Sequence, residues 1–275
     1  NIYAPKSTLS FRYTTPLSIT YGVSNRLQVT ASLPFIFYRE RTAFRITESD
    51  TIEQTRSYYR AFGTNGTRIG DGWGDLSLSG QFQVVKENIN KMGVVVGLAI
   101  KLPTGRKDPT NIIDEYNYTK PVGDGETLLI PNILIRKVSY PFSYVFSTSY
   151  QYSLGGKKRF APFAGYLWKD PGFTTRKYFF QSPGKLDITS SINFHINDWI
   201  AIGNTLSYNH QRGKTIELIS YWKEIVIPDS WALSYSPLVS FQIRRIRLNQ
   251  TMQVPLMGKN RPADPSFGIN LEYTF

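Results

Sequence analysis

Two histidines and no cysteine limit the chemistry that this 275-residue chain can perform. Without cysteine there is no thiol nucleophile, no disulfide scaffold and no thiolate ligand for zinc. His195 and His210 are too few to build a histidine cage around a metal. The glycine-rich stretch at residues 70–74 lacks the following helix and the lysine of a phosphate-binding loop. The acids of the predicted loops match no calcium-binding spacing, so we interpret them as solvated loop acids: Asp71, Asp75, Asp108, Asp114, Asp124 and Glu126. We therefore expect no metal and no cofactor.

Basic residues outnumber acidic ones by 32 to 20, which gives a formal net charge of +12. Clustered Lys and Arg attract phosphate, so this excess invites a nucleic-acid interpretation. The basic residues lie mainly in segments without strand periodicity, however, and no nucleic-acid recognition motif accompanies them. Aromatic residues make up 15% of the chain and hydrophobic ones 41%, which excludes a disordered chain. We expect no nucleic-acid partner.

The dominant sequence pattern has a period of two, which is typical of a β-strand with two unlike faces. In residues 266–275 large apolar side chains alternate strictly with small or polar ones, and residues 142–154, 185–196, 231–243 and 246–257 show the same split. Helical periodicity is nowhere as strong. No window approaches the roughly 18 to 20 apolar residues that a membrane-spanning helix needs. The pattern predicts an all-β protein.

Short and long connections alternate between the predicted strands. Short polar turns are predicted at residues 24–26, 87–91, 138–141, 197–198 and 244–245, and long loops near residues 47–73, 106–126, 155–183 and 211–230. All short turns then lie at one end of the strands and all long loops at the other, as in an outer-membrane barrel with short periplasmic turns. A soluble Greek-key sandwich, the alternative, gives no reason for this alternation.

The predicted fold is a single domain over residues 1–275, a closed antiparallel up-and-down transmembrane β-barrel with long extracellular loops. The strands are predicted at residues 8–23, 27–44, 74–87, 92–105, 127–137, 142–154, 184–196, 199–210, 230–243, 246–257 and 265–275. That is eleven, whereas bacterial single-chain barrels have an even number. We expect about twelve, with 10 to 14 open. The missing strand could precede Asn1, lie at residues 8–13, or come from residues 160–180.

The polar face of each strand is expected to line the lumen, because lipid can cover only the apolar face. The lumen-lining candidates with ionisable side chains are Arg12, Asp75, Lys101, Arg136, Lys185, Asp187, His195, Arg247 and Glu272. Counting the histidine as neutral, five cations face three acids, an excess of +2 that mildly favours anionic solutes if the lumen is open. With about twelve strands the lumen should be narrow and substantially filled by side chains and loops.

Several motifs resemble those of known outer-membrane proteins. The alternation Leu271, Tyr273, Phe275 at the last residues resembles the signal by which bacterial outer-membrane barrels are recognised for assembly. The stretches at residues 21–27 and 33–35, Gly-Trp-Gly-Asp-Leu at 72–76 and Leu-Pro-Thr-Gly at 102–105 are similar to the family of outer-membrane barrels labelled meta-pathway of phenol degradation. This resemblance covers roughly the first 105 residues. It implies an outer-membrane barrel with a transport function, but it does not identify a substrate.

The enzyme alternative rests on residues 208–214. This stretch superficially resembles the histidine-containing segment of outer-membrane phospholipases, which place a nucleophilic serine two residues after the histidine. Here Arg212 stands at that position, two residues after His210, which removes the chemistry. A Ser hydroxyl within about 3.2 Å of His210 would be needed to restore it. We expect no catalytic function.

The sequence therefore predicts a Gram-negative outer-membrane barrel that acts as a narrow channel or transporter for small solutes. A non-conducting accessory subunit of a larger outer-membrane complex is the alternative. The expected partners are outer-membrane lipid and lipopolysaccharide, the barrel assembly machinery and, for the alternative, other outer-membrane proteins. A basic cluster predicted in an extracellular loop should meet lipopolysaccharide phosphates: Lys157, Lys158, Arg159, Lys169, Arg176 and Lys177. No secretory signal is present in the chain, and we expect it to have been removed.

Overall fold

The computed structural model describes residues 4–45, 65–112, 118–159, 177–217, 224–243, 245–260 and 265–273. Within these ranges the regular structure consists of β-strands, which confirms the predicted all-β class. The strands are β1 Ala4–Gly22, β2 Leu27–Arg45, β3 Asn65–Trp73, β4 Leu76–Val85, β5 Gly93–Leu102, β6 Tyr118–Thr119, β7 Thr127–Ser139, β8 Phe142–Lys158, β9 Tyr178–Phe180, β10 Lys185–His195, β11 Ile200–Gln211, β12 Lys214–Glu217, β13 Glu224–Ile227, β14 Ser230–Ile243, β15 Ile246–Lys259 and β16 Ser266–Tyr273. No helix in the described part is long and apolar enough to cross a bilayer.

Fourteen of the strands form one sheet in which the long strands follow chain order and pair antiparallel with their neighbours. β3 and β4 both pair with β2, at Phe35–Ala43 and Leu27–Ser32, so together they form one long span. Counting them as one, the described part of the sheet has eleven spans (β1, β2, β3 with β4, β5, β7, β8, β10, β11, β14, β15, β16). These are the eleven segments predicted above. The described pairings do not join β1 to β16, so closure and a twelfth strand remain predictions.

The short turns at one end of the sheet are stabilised by side chains that accept backbone hydrogen bonds. The Ser24 hydroxyl accepts the Leu27 N–H at 3.1 Å. The Asn88 side chain accepts the Lys91 N–H at 2.8 Å, and the Asn197 side chain accepts the Ile200 N–H at 2.7 Å. Such local bonds are the reason that Ser and Asn favour tight turns. The short connections predicted from the sequence therefore have a defined local cause.

The predicted long loops are partly strand, which corrects their extent. β3 falls in the loop predicted near residues 47–73, β6 in that near 106–126, β9 in that near 155–183, and the β12–β13 hairpin in that near 211–230. β8 also continues to Lys158, past the predicted end of its strand. The glycine, asparagine and threonine of Asn65–Trp73 hide any apolar alternation, but their backbone groups pair with the protruding end of β2.

The register aligns the small polar residues of neighbouring strands on one face of the sheet. Hydroxyl pairs join Ser147 to Thr189 at 2.6 Å and Ser191 to Thr205 at 2.8 Å. Large apolar side chains occupy the opposite face and are exposed there; Leu206, for example, is 45% exposed. Since the side chains of a strand alternate between faces, each span contributes one polar and one apolar face. We call these the polar face and the apolar face of the sheet.

Candidate functional site

Three of the predicted lumen cations lie on the polar face beside a carboxylate. The Lys101 ammonium is 3.8 Å from Asp75, and the Lys185 ammonium is 3.1 Å from Asp187. The Arg136 guanidinium is 3.1 Å from Glu87, an acid of a short turn that was absent from the predicted lumen set. Asp75 and Asp187 were already part of the predicted count, and Glu87 lowers the predicted excess from +2 to +1.

The remaining lumen candidates occupy positions along the same face. Arg12 of β1 lies opposite Tyr38 of β2. Arg247 and Glu272 are register partners on β15 and β16, where the described structure covers the backbone.

His195 lies at the short-turn end of β10. Its ring is 3.2 Å from the Ser143 hydroxyl, which also accepts a hydrogen bond from the Asn193 amide at 3.4 Å. These residues line a cavity of 470 Å³ together with Ser240 and Thr251. In the described ranges no carboxylate is hydrogen-bonded to His195, so the orienting acid of a Ser-His-Asp arrangement is missing at this histidine.

His210 lies at the other end of the sheet, on the apolar face. Its ring is 3.1 Å from the Asp229 carboxylate and lies beside the ring of Tyr208. In the strand register His210 of β11 is the partner of Trp231 of β14. Asp229 also accepts the Gly213 N–H at 3.3 Å. The hydrogen-bond partner of His210 is thus an acid that also binds a loop amide, whereas the phospholipase interpretation required a serine hydroxyl.

A buried carboxylate joins two of the sequence motifs at the break between β3 and β4. The side chain of Asp75, from the Gly-Trp-Gly-Asp motif, is 0% exposed. Its two oxygens accept the N–H of Gly105, from the Leu-Pro-Thr-Gly motif, at 3.0 Å and the N–H of Asp124 at 2.7 Å. The Lys101 ammonium forms an ion pair with the Asp124 carboxylate at 2.5 Å. Asp75 therefore holds both ends of the loop formed by residues 103–126.

The glycines of the same motifs allow the backbones to touch. A Cβ atom on Gly105 would lie 2.8 Å from the carbonyl carbon of Gly74 and 3.0 Å from the Cα of Gly123. These neighbours are backbone atoms, which cannot move aside as a flexible side chain can. The Thr104 hydroxyl also accepts a hydrogen bond from the Leu76 N–H at 2.8 Å. We refer to Gly74, Asp75, Thr104, Gly105, Gly123 and Asp124 as the glycine joint.

A second buried acid, Glu126, lies at the end of the same loop and is 1% exposed. It accepts hydrogen bonds from the Ser153 hydroxyl at 2.5 Å and from the N–H and hydroxyl of Ser182 at 2.6 and 2.7 Å. The Lys158 ammonium is 3.3 Å away. Glu126 thus links three chain segments at the long-loop end of the sheet. The sequence interpretation of the loop acids as solvated is wrong for Glu126 and for Asp75, because both side chains are buried.

The predicted basic cluster is more closely paired with acids than expected. The Lys158 ammonium contacts Glu126, while Arg159 is bound to Asp108 through its backbone N–H, which donates to the carboxylate at 2.8 Å. Lys177 is 3.8 Å from the same Asp108. Lys157 is exposed on β8. Lys169 and Arg176 lie outside the described residues.

A further ionic cluster lies on the polar face near the long loops, and of its members only Arg12 belongs to the predicted lumen set. The Glu40 carboxylate, on a side chain that is 11% exposed, is 2.7 Å from Arg68 and 4.0 Å from Lys120. The Tyr38 hydroxyl donates to Glu40, and the Lys120 ammonium is 3.1 Å from that hydroxyl. Arg68 also lies 5.3 Å from the centre of the Tyr118 ring.

The surroundings of Lys120 act on its ammonium in both directions. Burial lowers the pKa of Lys120, the neighbouring Glu40 raises it, and the positive charges of Arg68 and Arg12 lower it further. The net direction is downward, since removal from water disfavours the charged form. The cluster could not be found from sequence alone, because Lys120 reaches it only through the parallel pairing of β6 with β3.

The predicted assembly residues end the last strand. Leu271 and Tyr273 belong to β16, where they face Leu248 and Ile246 of β15. Phe275 lies outside the described residues. The described structure therefore places Leu271 and Tyr273 in a terminal strand, as the alternation predicts, and the recognition role remains a prediction.

The antiparallel meander with one polar and one apolar face has the fold of an outer-membrane channel. One solved structure that shares it is an outer membrane channel from Pseudomonas putida F1, with a TM-score of 0.62. The two chains are 11% identical, and the match covers 97% of this chain and 83% of that one. At 11% sequence identity, this structural likeness shows the fold alone.

No family model and no curated protein matches the chain. The resemblance to the meta-pathway family, which rested on the two motifs of the glycine joint and on residues 21–27 and 33–35, therefore remains a prediction. The structure provides a physical role for those motifs that does not depend on family membership.

Proposed function

We propose that this chain is a bacterial outer-membrane β-barrel that forms a narrow channel or transporter for small solutes. The observation that supports this proposal is the separation of the sheet into a continuous polar face and an exposed apolar face. A sheet of this kind is stable in a bilayer if it closes with the apolar face toward lipid, because every backbone group is then paired. The polar face is left to surround a water-filled lumen.

The length of the apolar face agrees with the thickness of an outer membrane. Ile200 pairs with Phe241 at the short-turn end, and His210 pairs with Trp231 at the other end. These two aromatic levels are ten residues apart on each strand, which corresponds to about 33 Å along a strand. A strand tilt of about 40° reduces this to about 25 Å, the height of the apolar band in such barrels.

Two cavities at the short-turn end support a hydrated interior. One of 470 Å³ is lined by His195, Ser240 and Gln242, and one of 360 Å³ by Gln28, Gln81 and Arg136. The polar lining suits water and small polar solutes. We further propose that the exposed Lys157 and its basic neighbours contact lipopolysaccharide phosphates outside the barrel, because Lys and Arg bind phosphate well.

Placing a charge on the apolar face tests the orientation of the sheet. Leu206 lies midway between the two aromatic levels, and its neighbour Thr205 lies on the polar face. We expect Leu206→Arg to lower the free energy of unfolding in lipid vesicles by about 2–4 kcal/mol. Thr205→Arg is the control, with an expected loss of about 1 kcal/mol from its hydrogen bond to Ser191. Equal effects of the two changes would contradict the orientation.

Conductance of the purified protein in planar bilayers tests the channel itself. We expect discrete conductance steps after insertion of protein whose folding is verified by its heat-modifiable mobility in gels. Folded, inserted protein that remains silent would contradict the channel proposal and favour the alternative of a non-conducting accessory subunit. A salt gradient across the bilayer reports which ions pass.

A further inference from the structure

The cluster around Glu40 brings four elements together at the long-loop end of the polar face. Arg12 of β1 lies opposite Tyr38 of β2, and Tyr38 lies opposite Gly70 of β3. A Cβ on Gly70 would be 2.9 Å from the Lys120 carbonyl oxygen and 3.4 Å from its Cβ. Only a residue without a side chain admits Lys120 at this place. Arg12, Tyr38 and Lys120 therefore lie in one row across the polar face.

The next row toward the long loops contains the acid and a second arginine. Glu40 lies opposite Arg68, and Arg68 lies opposite Tyr118 of β6. Across both rows, Arg12, Arg68 and Lys120 provide three positive charges and Glu40 provides one negative charge. Among the described residues, the difference between three positive charges and one negative charge leaves two positive charges in the cluster. Elsewhere on the polar face Lys101, Arg136 and Lys185 each have their own acid within 4 Å.

The two tyrosines surround the cations without neutralising them. The Lys120 ammonium lies 4.2 Å from the centre of the Tyr38 ring, and Arg68 approaches the ring of Tyr118, which is only 8% exposed. Partial removal from water strengthens electrostatic attraction at the cluster. The Lys120 side chain is nevertheless 41% exposed, so that a small solute can reach it.

We propose that Arg12, Arg68 and Lys120 form a binding site for small oxyanions such as phosphate or a carboxylate. A guanidinium offers two parallel N–H groups to such an anion, and an ammonium adds a point charge. Binding at the site stands on this geometry alone. Its further role, the selection of anionic solutes at the outer entrance, rests on the proposed channel function.

Line broadening of the ³¹P signal of inorganic phosphate tests binding without requiring conduction. The full chain is used in a maltoside detergent, which carries no phosphate, at low ionic strength to limit screening. We expect the folded wild type to broaden the signal and Lys120→Gln to bind phosphate about 10-fold more weakly, as expected for the loss of one nearby charge. Lys120→Arg should retain binding.

Two further variants distinguish the cluster from the general basic charge of the chain. Glu40→Gln removes the acid that the described residues bring to the cluster and is expected to increase phosphate binding several-fold, whereas disruption of the local structure would decrease it. Lys86→Gln makes the same change of charge as Lys120→Gln at an exposed position after β4, at the opposite, short-turn end of the sheet, and should leave binding unchanged. No broadening by the wild type, or equal losses in Lys120→Gln and Lys86→Gln, would overturn the proposal.

The conductance experiment then separates the two proposals. If the protein conducts, Lys120→Gln should lower the chloride-to-potassium permeability ratio and Glu40→Gln should raise it; unchanged ratios in both would overturn the selective role. If folded protein is silent but binds phosphate with the variant pattern above, the channel proposal fails and the oxyanion site stands.

Discussion

Replacing Glu126 with alanine is expected to lower the free energy of unfolding by about 3 kcal/mol. Glu126 is 1% exposed and accepts hydrogen bonds from Ser153 and Ser182. Alanine removes these acceptors and takes away the carboxylate beside Lys158, whose side chain is only 18% exposed. A buried charge that loses its partner is strongly destabilising, because the desolvation of the remaining group is no longer offset.

Guanidinium unfolding of the protein in lipid vesicles, followed by tryptophan fluorescence and gel mobility, measures this change. The matched control is Asp71→Ala, which removes an acid from an exposed pair in which Arg39 and Asp71 are 40% and 50% exposed. Such exposed pairs contribute between 0 and about 1 kcal/mol. If Glu126→Ala is no more destabilising than Asp71→Ala, Glu126 does not link the segments as described.

The fold class and the order of the spans could be predicted because they depend on a local pattern. Alternating side chains and alternating short and long connections identified all eleven spans, and the pairings follow the same order. The outer part of the third span was missed. Asn65–Trp73 is a strand because its backbone pairs with β2, and its small and polar side chains carry no period-two signal.

The charges of the polar face could not be predicted because pairing depends on register and on loops. Arg136 was identified as a lumen residue, but its partner Glu87 lies in a turn on the neighbouring connection. Lys120 lies in a loop segment without periodicity, and only the pairing of β6 with β3 brings it to Glu40. A count of charges along the strands therefore overestimates the net positive charge of the polar face where turns contribute acids. It underestimates this charge where loops contribute cations.

The two sequence motifs are better explained by the structure than by the resemblance that first drew attention to them. Gly-Trp-Gly-Asp ends β3, and Leu-Pro-Thr-Gly follows from β5 into loop 103–126. At their meeting point the glycines let two backbones come into contact, and Asp75 accepts the amide groups that this contact would leave without partners. The joint thereby fixes where the loop leaves the sheet, and with it the position of Lys120 on the polar face.

Replacing Asp75 with alanine is accordingly expected to destabilise the protein by about 3 kcal/mol and to loosen loop 103–126. Its carboxylate accepts two backbone N–H groups, at 3.0 and 2.7 Å, in a fully buried position. Hydrogen bonds to charged groups contribute about 1.5–3 kcal/mol each. Lys101 keeps Asp124 as a partner, so the lost acceptors dominate the effect. Unfolding in vesicles measures the stability, and tryptic cleavage after Arg106 and Lys107 measures the loosening.

Gly105→Ala tests the same joint without changing any charge, with Gly80→Ala as the matched control. The added methyl group at Gly105 meets backbone atoms at 2.8 and 3.0 Å, whereas nothing lies within 4 Å of the corresponding position at Gly80. We expect a loss of about 1–3 kcal/mol for Gly105→Ala from overpacking. Gly80→Ala should be neutral or slightly stabilising, because alanine has less conformational freedom to lose on folding. If both alanine variants resist trypsin and guanidinium as the wild type does, the joint does not hold the loop.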